Sequence, residues 1–155
     1  MTVFVISPLE AIGPVQLGTT RAMARQAMSA MGFPLEHSYN GVDYFCDSCM
    51  QLSYGPSDEV WFIGASGSLE LKFMFKGVDV FSLSATEVFS LMAASDKSGP
   101  HDFTSYEYLF PNQILTVWDA DEQYDRQGGE TREVWAQVGI GNGAYLAAVH
   151  VLEKE

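Results

Sequence analysis

The chain has few basic residues, and this shortage excludes a class of partners. Only 8 lysines and arginines stand against 20 aspartates and glutamates, which gives a net charge of −12 at pH 7. An acidic balance serves solubility, and it also repels nucleic acid and anionic membrane surfaces. We therefore predict no nucleic-acid partner and no membrane partner, and we expect any protein partner to be basic.

Cysteine and histidine are also scarce, which limits metal and redox chemistry. The two cysteines form a single C-x-x-C, Cys46 to Cys49, a spacing that can indicate redox chemistry or half of a zinc site. The three histidines are scattered along the chain: His37, His101 and His150. If Asp47 and Ser48 form a two-residue hairpin turn, the thiols face each other across it. We expect two buried or edge thiols, no bound metal, no cofactor and no essential redox role.

Long apolar runs and export signals are absent as well. No run reaches the roughly 18 to 20 apolar residues that span a bilayer. The opening MTVFVISPLEAIG has neither a basic start nor a small-residue cleavage site, as a secretory signal would. We therefore expect a soluble, cytoplasmic protein.

Motifs of the common enzyme classes are missing too. There is no G-x-S-x-G, no H-E-x-x-H and no P-loop. The glycine-rich stretches GASG and GIGNG are not followed by a helical pattern, so we expect neither to open a phosphate-binding helix. We predict no catalytic residues, although paired carboxylates without a motif would leave a small enzyme possible.

A weak internal repeat organises what is present. The tripeptide Glu59-Val60-Trp61 returns as Glu133-Val134-Trp135, each time before a glycine-rich stretch. Upstream of each copy lie an aromatic start, a turn, an alternating strand and a polar loop. In the first copy, Met50, Leu52 and Tyr54 occupy alternate positions of the predicted strand. In the second copy, Ile114, Thr116 and Trp118 alternate with Leu115 and Val117. Each copy predicts a three-stranded meander.

One helix is predicted before each meander. In the first, Thr19 or Thr20 is the N-cap and Gly32 ends the helix. In the second, Ser84 and Glu87 form a capping-box pattern. The buried positions are Ala24, Ala27, Met28 and Met31 in the first helix, and Val88, Leu91 and Met92 in the second.

Together these patterns predict an α+β fold. We expect two tandem halves, 1–68 and 69–155, each a helix plus an antiparallel meander, packed as one domain that covers residues 1–155. Trp61 and Trp135 should then be largely buried at matching positions between helix and sheet. The repeat is short enough for chance similarity between two β-rich stretches to remain an alternative to true duplication.

The second half carries an acidic insertion, DADEQYDRQGGE, that the first half lacks. Its spacing resembles a calcium loop, but Tyr124 stands where that loop needs glycine. A long, solvated hairpin loop over residues 119–130 is the simpler interpretation, and its charge makes it the predicted contact surface. The candidate partner-binding residues are Asp119, Asp121, Glu122, Tyr124, Asp125 and Glu130.

Several stretches resemble known bacterial families. Gly13, Leu17, Gly18 and Thr20, leading into a helix that ends near Gly32 and Pro34, resemble the opening of small helix-plus-meander modules. These modules are related in fold to the β-lactamase-inhibitor protein and to small outer-membrane assembly lipoproteins. No lipobox cysteine follows the N-terminus, which departs from the lipoproteins.

Three later stretches are similar to immunity proteins encoded beside bacterial polymorphic toxins. These stretches are FKGVDVFSLSATEV, YLFPNQILTVW and VWAQVGIGNGAY. The resemblance implies a stoichiometric inhibitor that occludes the active cleft of a cognate toxin, but it implies no fixed set of site residues. With the acidic insertion, it predicts a toxin whose cleft is basic. The alternatives are a ligand-binding or regulatory module with a pocket between helix and sheet, and a small enzyme.

Overall fold

A computed structural model describes residues 1–125 and 131–153 of the chain. The described residues form three α-helices and two β-sheets, which confirms the predicted α+β class. The helices are α1 (Arg21–Ala30), α2 (Ala85–Asp96) and α3 (Gly143–Glu153). Short 3₁₀ turns lie at Val80–Ser82 and Glu122–Tyr124.

The strands of the first half of the chain are β1 (Thr2–Ser7), β2 (Ala11–Ile12), β3 (Val15–Gln16), β4 (His37–Tyr39), β5 (Val42–Phe45), β6 (Met50–Tyr54) and β7 (Val60–Ala65). Those of the second half are β8 (Leu71–Phe75), β9 (Val78–Asp79), β10 (Glu107–Phe110), β11 (Leu115–Asp121) and β12 (Val134–Gly141). The predicted strands around Leu52 and Thr116 correspond to β6 and β11.

The larger sheet joins the two meanders edge to edge. Its strand order is β10-β11-β12-β7-β6-β5-β4, and every neighbouring pair is antiparallel. The junction is the β7–β12 pair, where Ile63 lies opposite Ile140. Helices α1 and α2 each precede one meander, as predicted, but the first meander has four strands, β4 to β7, instead of the predicted three. Strands β1 to β3, β8 and β9 and helix α3 are additional to the predicted order. The equivalence of the two halves stays a prediction.

A second, smaller sheet has no counterpart in the sequence-based prediction. Its order is β3-β2-β1-β8-β9, and its central pair, β1 and β8, is parallel with Phe4 opposite Phe73. The two phenylalanine rings pack edge to face at 6.2 Å. Because parallel strands need a long crossover, the partner of β1 lies far along the chain, where local patterns do not reveal it. Buried residues of both sheets belong to one hydrophobic core.

The ends of α1 and α2 follow from their capping residues. Thr20 is the N-cap of α1, and Gly32 has a left-handed φ of 89° just beyond its end. Ser84 and Glu87 form the predicted capping box of α2, which ends at a left-handed Lys97. The buried residues are Ala24 and Met28 in α1, and Ala85, Val88, Phe89, Met92 and Asp96 in α2.

The expectation that no helix follows GIGNG is wrong, because α3 begins at Gly143. The backbone N–H of Tyr145 donates to the Asn142 side chain at 3.0 Å, as in an N-cap. Asn142 itself is held by its N–H, which donates to the carbonyl of Trp61. Helix α3 is apolar on nearly every side, so it lacks the alternation of polar and apolar positions by which an amphipathic helix is predicted.

The repeated tripeptide places its two tryptophans differently. Val60 and Val134 are both buried and begin the two central strands, β7 and β12. Trp135 is 2% exposed, and its indole N–H donates to the carbonyl of Ala85 in α2 at 3.0 Å. Trp61 is partly buried and meets Tyr145 of α3 edge to face. The first indole therefore packs with α3, and the second with α2.

Candidate functional site

The predicted acidic loop begins later than the sequence suggested. Strand β11 continues to Asp121, with Ala120 opposite Trp135 and Asp121 opposite Val134, and a 3₁₀ turn follows at once. Asp119 and Asp121 are therefore strand residues, which corrects the expectation of a solvated loop over 119–130. The acidic side chains concealed this strand from sequence analysis, because aspartate is depleted in strands and its pairing with β12 is non-local.

Two of the predicted acids are engaged within the chain. The Tyr124 hydroxyl donates to the Asp119 carboxylate at 2.8 Å, a bond that raises the pKa of Tyr124. The Asp125 side chain is only 4% exposed and accepts from Arg132 at 3.2 Å. Arg132 also donates to the carbonyl of Ser82. These contacts hold residues 119–125 against the rest of the fold.

Two other predicted acids are open to solvent. Asp121 and Glu122 are exposed, and neither pairs with a basic side chain among the described residues. Asp121 also accepts from the backbone N–H of Gln123 at 3.0 Å, which caps the 3₁₀ turn. Glu130 lies outside the described residues. Asp121 and Glu122 are thus the predicted site residues that the structure leaves free to meet a partner.

An exposed tryptophan lies three residues before this acidic pair. Trp118 of β11 is 45% exposed, although the neighbouring Val117 is buried. Its Cα lies opposite Glu107 in β10 and Gln137 in β12. An exposed indole in the middle of a paired strand is uncommon, because a tryptophan gains most by burial. Trp118 therefore marks this face of the large sheet as a candidate contact surface.

Trp118 borders a cleft between α3 and the large sheet. The cleft has a volume of about 680 Å³, and it lies on the sheet face opposite to α2. Tyr145 closes one end, where its ring stacks on Phe62 at 4.8 Å. A side chain at Gly139 would collide with the Phe62 ring, so glycine is needed there. Other lining residues are Glu107, Thr116, Trp118, Gln137, Val149 and His150.

Sequence analysis did not identify this cleft, although one signal for it was present. Along β11, Leu115 and Val117 are buried while Thr116 and Trp118 face the cleft. The tryptophan therefore shares a face with threonine rather than with the aliphatic residues. That alternation distinguishes a surface indole from a core indole once the buried face is known.

A second polar cluster lies beside α1, and all of its groups are satisfied. The Asp43 carboxylate is fully buried and accepts from Arg25 at 2.7 and 2.9 Å, from Ser38 at 2.5 Å and from Tyr54 at 2.6 Å. Burial alone would raise the pKa of Asp43, but these hydrogen bonds and the Arg25 charge lower it to about 2. This cluster joins α1 to the sheet and is structural.

The cysteines lie in a strained hairpin turn between β5 and β6. Cys46, Asp47 and Ser48 all have left-handed φ values, and the N–H of Cys49 donates to the carbonyl of Cys46 at 3.0 Å. The Glu36 carboxylate accepts from the N–H groups of Asp47 and Ser48. Burial raises the pKa of both thiols, so neither is an activated nucleophile. Among the described residues, no three acidic, histidine or cysteine side chains converge on a metal position.

His101 joins the loop after α2 to the sheet. One ring nitrogen is 2.6 Å from the Ser98 hydroxyl, and the other is 2.5 Å from the Tyr108 hydroxyl. The ring also meets Phe110 edge to face at 5.1 Å. Among the residues that the structure describes, no carboxylate hydrogen-bonds this imidazole, as an acid does where it orients the histidine of a hydrolase triad. The contacts of His101 are those of a residue that anchors a loop.

Comparisons of the chain with protein-family models, with curated proteins and with solved structures give no match. Within residues 1–125 and 131–153, no helix has the length and apolar character needed to cross a membrane.

Proposed function

We propose that the chain is a stoichiometric binding protein of the immunity type, which neutralises a cognate bacterial toxin by covering a basic active cleft. The binding surface comprises Trp118 with the acidic pair Asp121 and Glu122, and we name it the β11 surface. The observation that carries the proposal is this exposed indole in β11, followed three residues later in the chain by two exposed carboxylates that have no basic partner among the described residues.

The β11 surface combines the two properties that protein-binding surfaces use. Tryptophan is enriched among the residues that contribute most binding free energy, because it buries a large area at little entropic cost. Exposed carboxylates on a binding surface speed the encounter with a basic partner and discriminate against acidic ones. The net charge of the whole chain, −12, adds a long-range attraction to a basic partner.

The test is co-expression with the toxin domain encoded by the neighbouring gene, followed by purification and kinetic measurement. We expect rescue of growth and a 1:1 complex. The double variant Asp121→Asn with Glu122→Gln should associate about 10-fold more slowly at low salt, and its rate should depend less on salt. Asp125 stays unchanged, because its contact with Arg132 is part of the fold.

The matched control removes two acids elsewhere, with Glu10→Gln and Glu59→Gln. Both side chains are exposed, on the β1–β2 turn and before β7. This control changes the net charge by the same amount, so a specific role for the β11 surface predicts a clearly smaller effect. If association slows equally in both variants, the effect comes from the net charge of the protein and not from the β11 surface. Absence of any complex with the neighbouring toxin would refute the immunity role.

The cleft of about 680 Å³ supports a second candidate function, a module that binds a small ligand. Its volume falls in the range of small-molecule sites, and it lies between a helix and a sheet. A thermal-shift screen against metabolite fractions tests this role. Saturable stabilisation by one compound, abolished by filling the cleft with Gln137→Trp, would favour the ligand-binding role over the immunity role.

A further inference from the structure

The cleft beside Trp118 contains one carboxylate that has no cation. The Glu107 side chain is exposed at its edge and forms no ion pair with any basic side chain among the described residues. Its Cα lies directly opposite that of Trp118 across the β10–β11 pair. Directly opposite residues in an antiparallel pair have side chains close enough to contact one ligand. An indole and a carboxylate are thus presented together at the mouth of a cleft.

The carboxylate acts on the interior of the cleft. Burial raises the pKa of Tyr145, and the negative charge of Glu107 raises it further. Tyr145 lines the cleft and stacks on Phe62. The negative charge of Glu107 therefore acts on a residue of the cleft wall. The described lining includes no lysine or arginine, and His150 is its one basic residue. The cleft is therefore an aromatic site with a negative rim.

Elsewhere in the chain, the guanidinium of Arg21 lies between an aromatic ring and a carboxylate. The Arg21 guanidinium lies 4.1 Å from the centre of the Tyr54 ring. Its Nε and Nη2 atoms donate to the Asp58 carboxylate at 2.8 and 2.6 Å. An aromatic face and one carboxylate are sufficient there to position an arginine. Trp118 and Glu107 offer a similar pair of groups, and indole is the better partner for a cation.

We propose that Trp118 and Glu107 bind an arginine side chain of a partner protein. This side chain inserts into the cleft below α3. This inference rests on the proposed binding function and names the partner residue that the β11 surface recognises. Arginine fits better than lysine, because its planar guanidinium stacks on an indole while still donating to a carboxylate. Asp121 at the end of β11 and Glu122 in the following 3₁₀ turn add negative charge farther from this contact.

The site is tested without the toxin, by titrating ¹⁵N-labelled protein with the peptide acetyl-Gly-Arg-Gly-amide. The indole N–H signals of Trp61, Trp118 and Trp135 are separate reporters of the three environments. We expect a saturable shift of the Trp118 signal, with the Trp135 signal unmoved because its indole is buried against α2. The same peptide with citrulline in place of arginine keeps the shape, lacks the charge and should give no saturable shift.

Two variants locate the contact. Glu107→Gln should weaken the arginine peptide by about 5-fold, and Trp118→Ala should abolish saturable binding measured at the Glu107 amide. Glu10→Gln, which removes an exposed acid outside the cleft and outside the β11 surface, should change the affinity less than about twofold, because salt screens a distant charge. Both changed side chains of the site are exposed, and circular dichroism checks that the fold is kept.

The failures of the two proposals are distinguishable. No shift at Trp118, or equal shifts with the arginine and citrulline peptides, overturns the arginine site. A complex with the neighbouring toxin that responds to changes at Asp121 and Glu122 but not at Glu107 also overturns it, while the immunity role stands. Peptide binding without any toxin complex supports the arginine site and refutes the immunity role.

Discussion

At the scale of single residues, Asp43 is a buried charge whose hydrogen bonds lie within the protein. Its carboxylate has no solvent contact, and Arg25, Ser38 and Tyr54 take the place of water. A buried charge is tolerated only when its hydrogen bonds are complete, since desolvation costs several kcal/mol. Burial raises the pKa of Tyr54, and the hydrogen bond that Tyr54 donates to Asp43 raises it further. The cluster thus behaves as one unit, and a change in one member affects the others.

We predict that Asp43→Asn lowers the free energy of unfolding at pH 7 by about 2 kcal/mol. The pKa of Asp43 falls from its ordinary 3.8 to about 2 in the folded protein. Because the folded value is the lower one, this stabilisation is complete above about pH 4 and is lost as pH falls through about 2. Urea unfolding of the wild type and of Asp43→Asn between pH 7 and 2 measures this effect. The difference between their free energies of unfolding should become smaller as the pH falls.

The exposed pair of Arg21 and Asp58 provides the control. The Asp58 side chain is 61% exposed, and solvent screens its contact with Arg21. Asp58→Asn should therefore barely change the free energy of unfolding at any pH. A wild-type advantage over Asp43→Asn that stays constant down to pH 2 would contradict the assignment of this acid sensitivity to Asp43.

At the scale of elements, the start of α2 is held by the start of β12. The N–H of Ala85 donates to the carbonyl of Glu133 at 2.8 Å, and the carbonyl of Ala85 accepts from the Trp135 indole at 3.0 Å. Phe89 then packs on Phe110 of β10. The second copy of the tripeptide therefore positions a helix against the sheet, which gives Trp135 a role that Trp61 does not share.

We predict that Trp135→Phe destabilises the protein by about 1 to 3 kcal/mol. The change removes a buried hydrogen bond at Ala85 and leaves part of the indole volume empty. Trp61→Phe is the matched control and should cost clearly less, because Trp61 is only partly buried. Hydrogen exchange should localise the loss to the first turn of α2. Equal destabilisation by the two substitutions would contradict the specific contribution of Trp135 to the start of α2.

At the scale of the whole molecule, two sheets share one core while the surface carries a large excess of negative charge. The net charge of −12 is spread over 155 residues, and three ion pairs are present among the described ones. Mutual repulsion of this kind disfavours the compact state. The excess acid that suits a basic partner therefore lowers the stability of the free protein.

We predict that raising NaCl from about 10 to about 150 mM at pH 7 increases the thermal midpoint of the free protein. Salt shortens the Debye length to about 8 Å and screens the repulsion. Near the isoelectric pH of about 4.4 the net charge vanishes, so the same change in salt should have little effect there. A thermal midpoint that does not change with salt at pH 7 would show that mutual repulsion of the acidic side chains does not destabilise the free protein.

Parts of the candidate site were accessible to sequence analysis, and others were not. The charge of Asp121 and Glu122 is visible in the sequence, and the structure leaves both exposed. The internal contacts of Asp119 and Asp125 are not visible, because their partners depend on how the chain folds between β11 and β12. The alternating sequence pattern places Trp118 in a strand but does not assign it to the contact surface. Its exposure depends on where α3 lies.

By itself the sequence determined the features that depend on near neighbours. These are the caps at Thr20 and Ser84, the hairpin turn at Asp47 and Ser48, and the alternating strands β6 and β11. Only the tertiary structure decided the parallel pairing of β1 with β8, the joining of the meanders through β7 and β12, and the position of α3 over the sheet. The physical reason is that caps and turns are completed by hydrogen bonds within a few residues. Strand pairing and exposure depend instead on burial against segments that are distant in the chain.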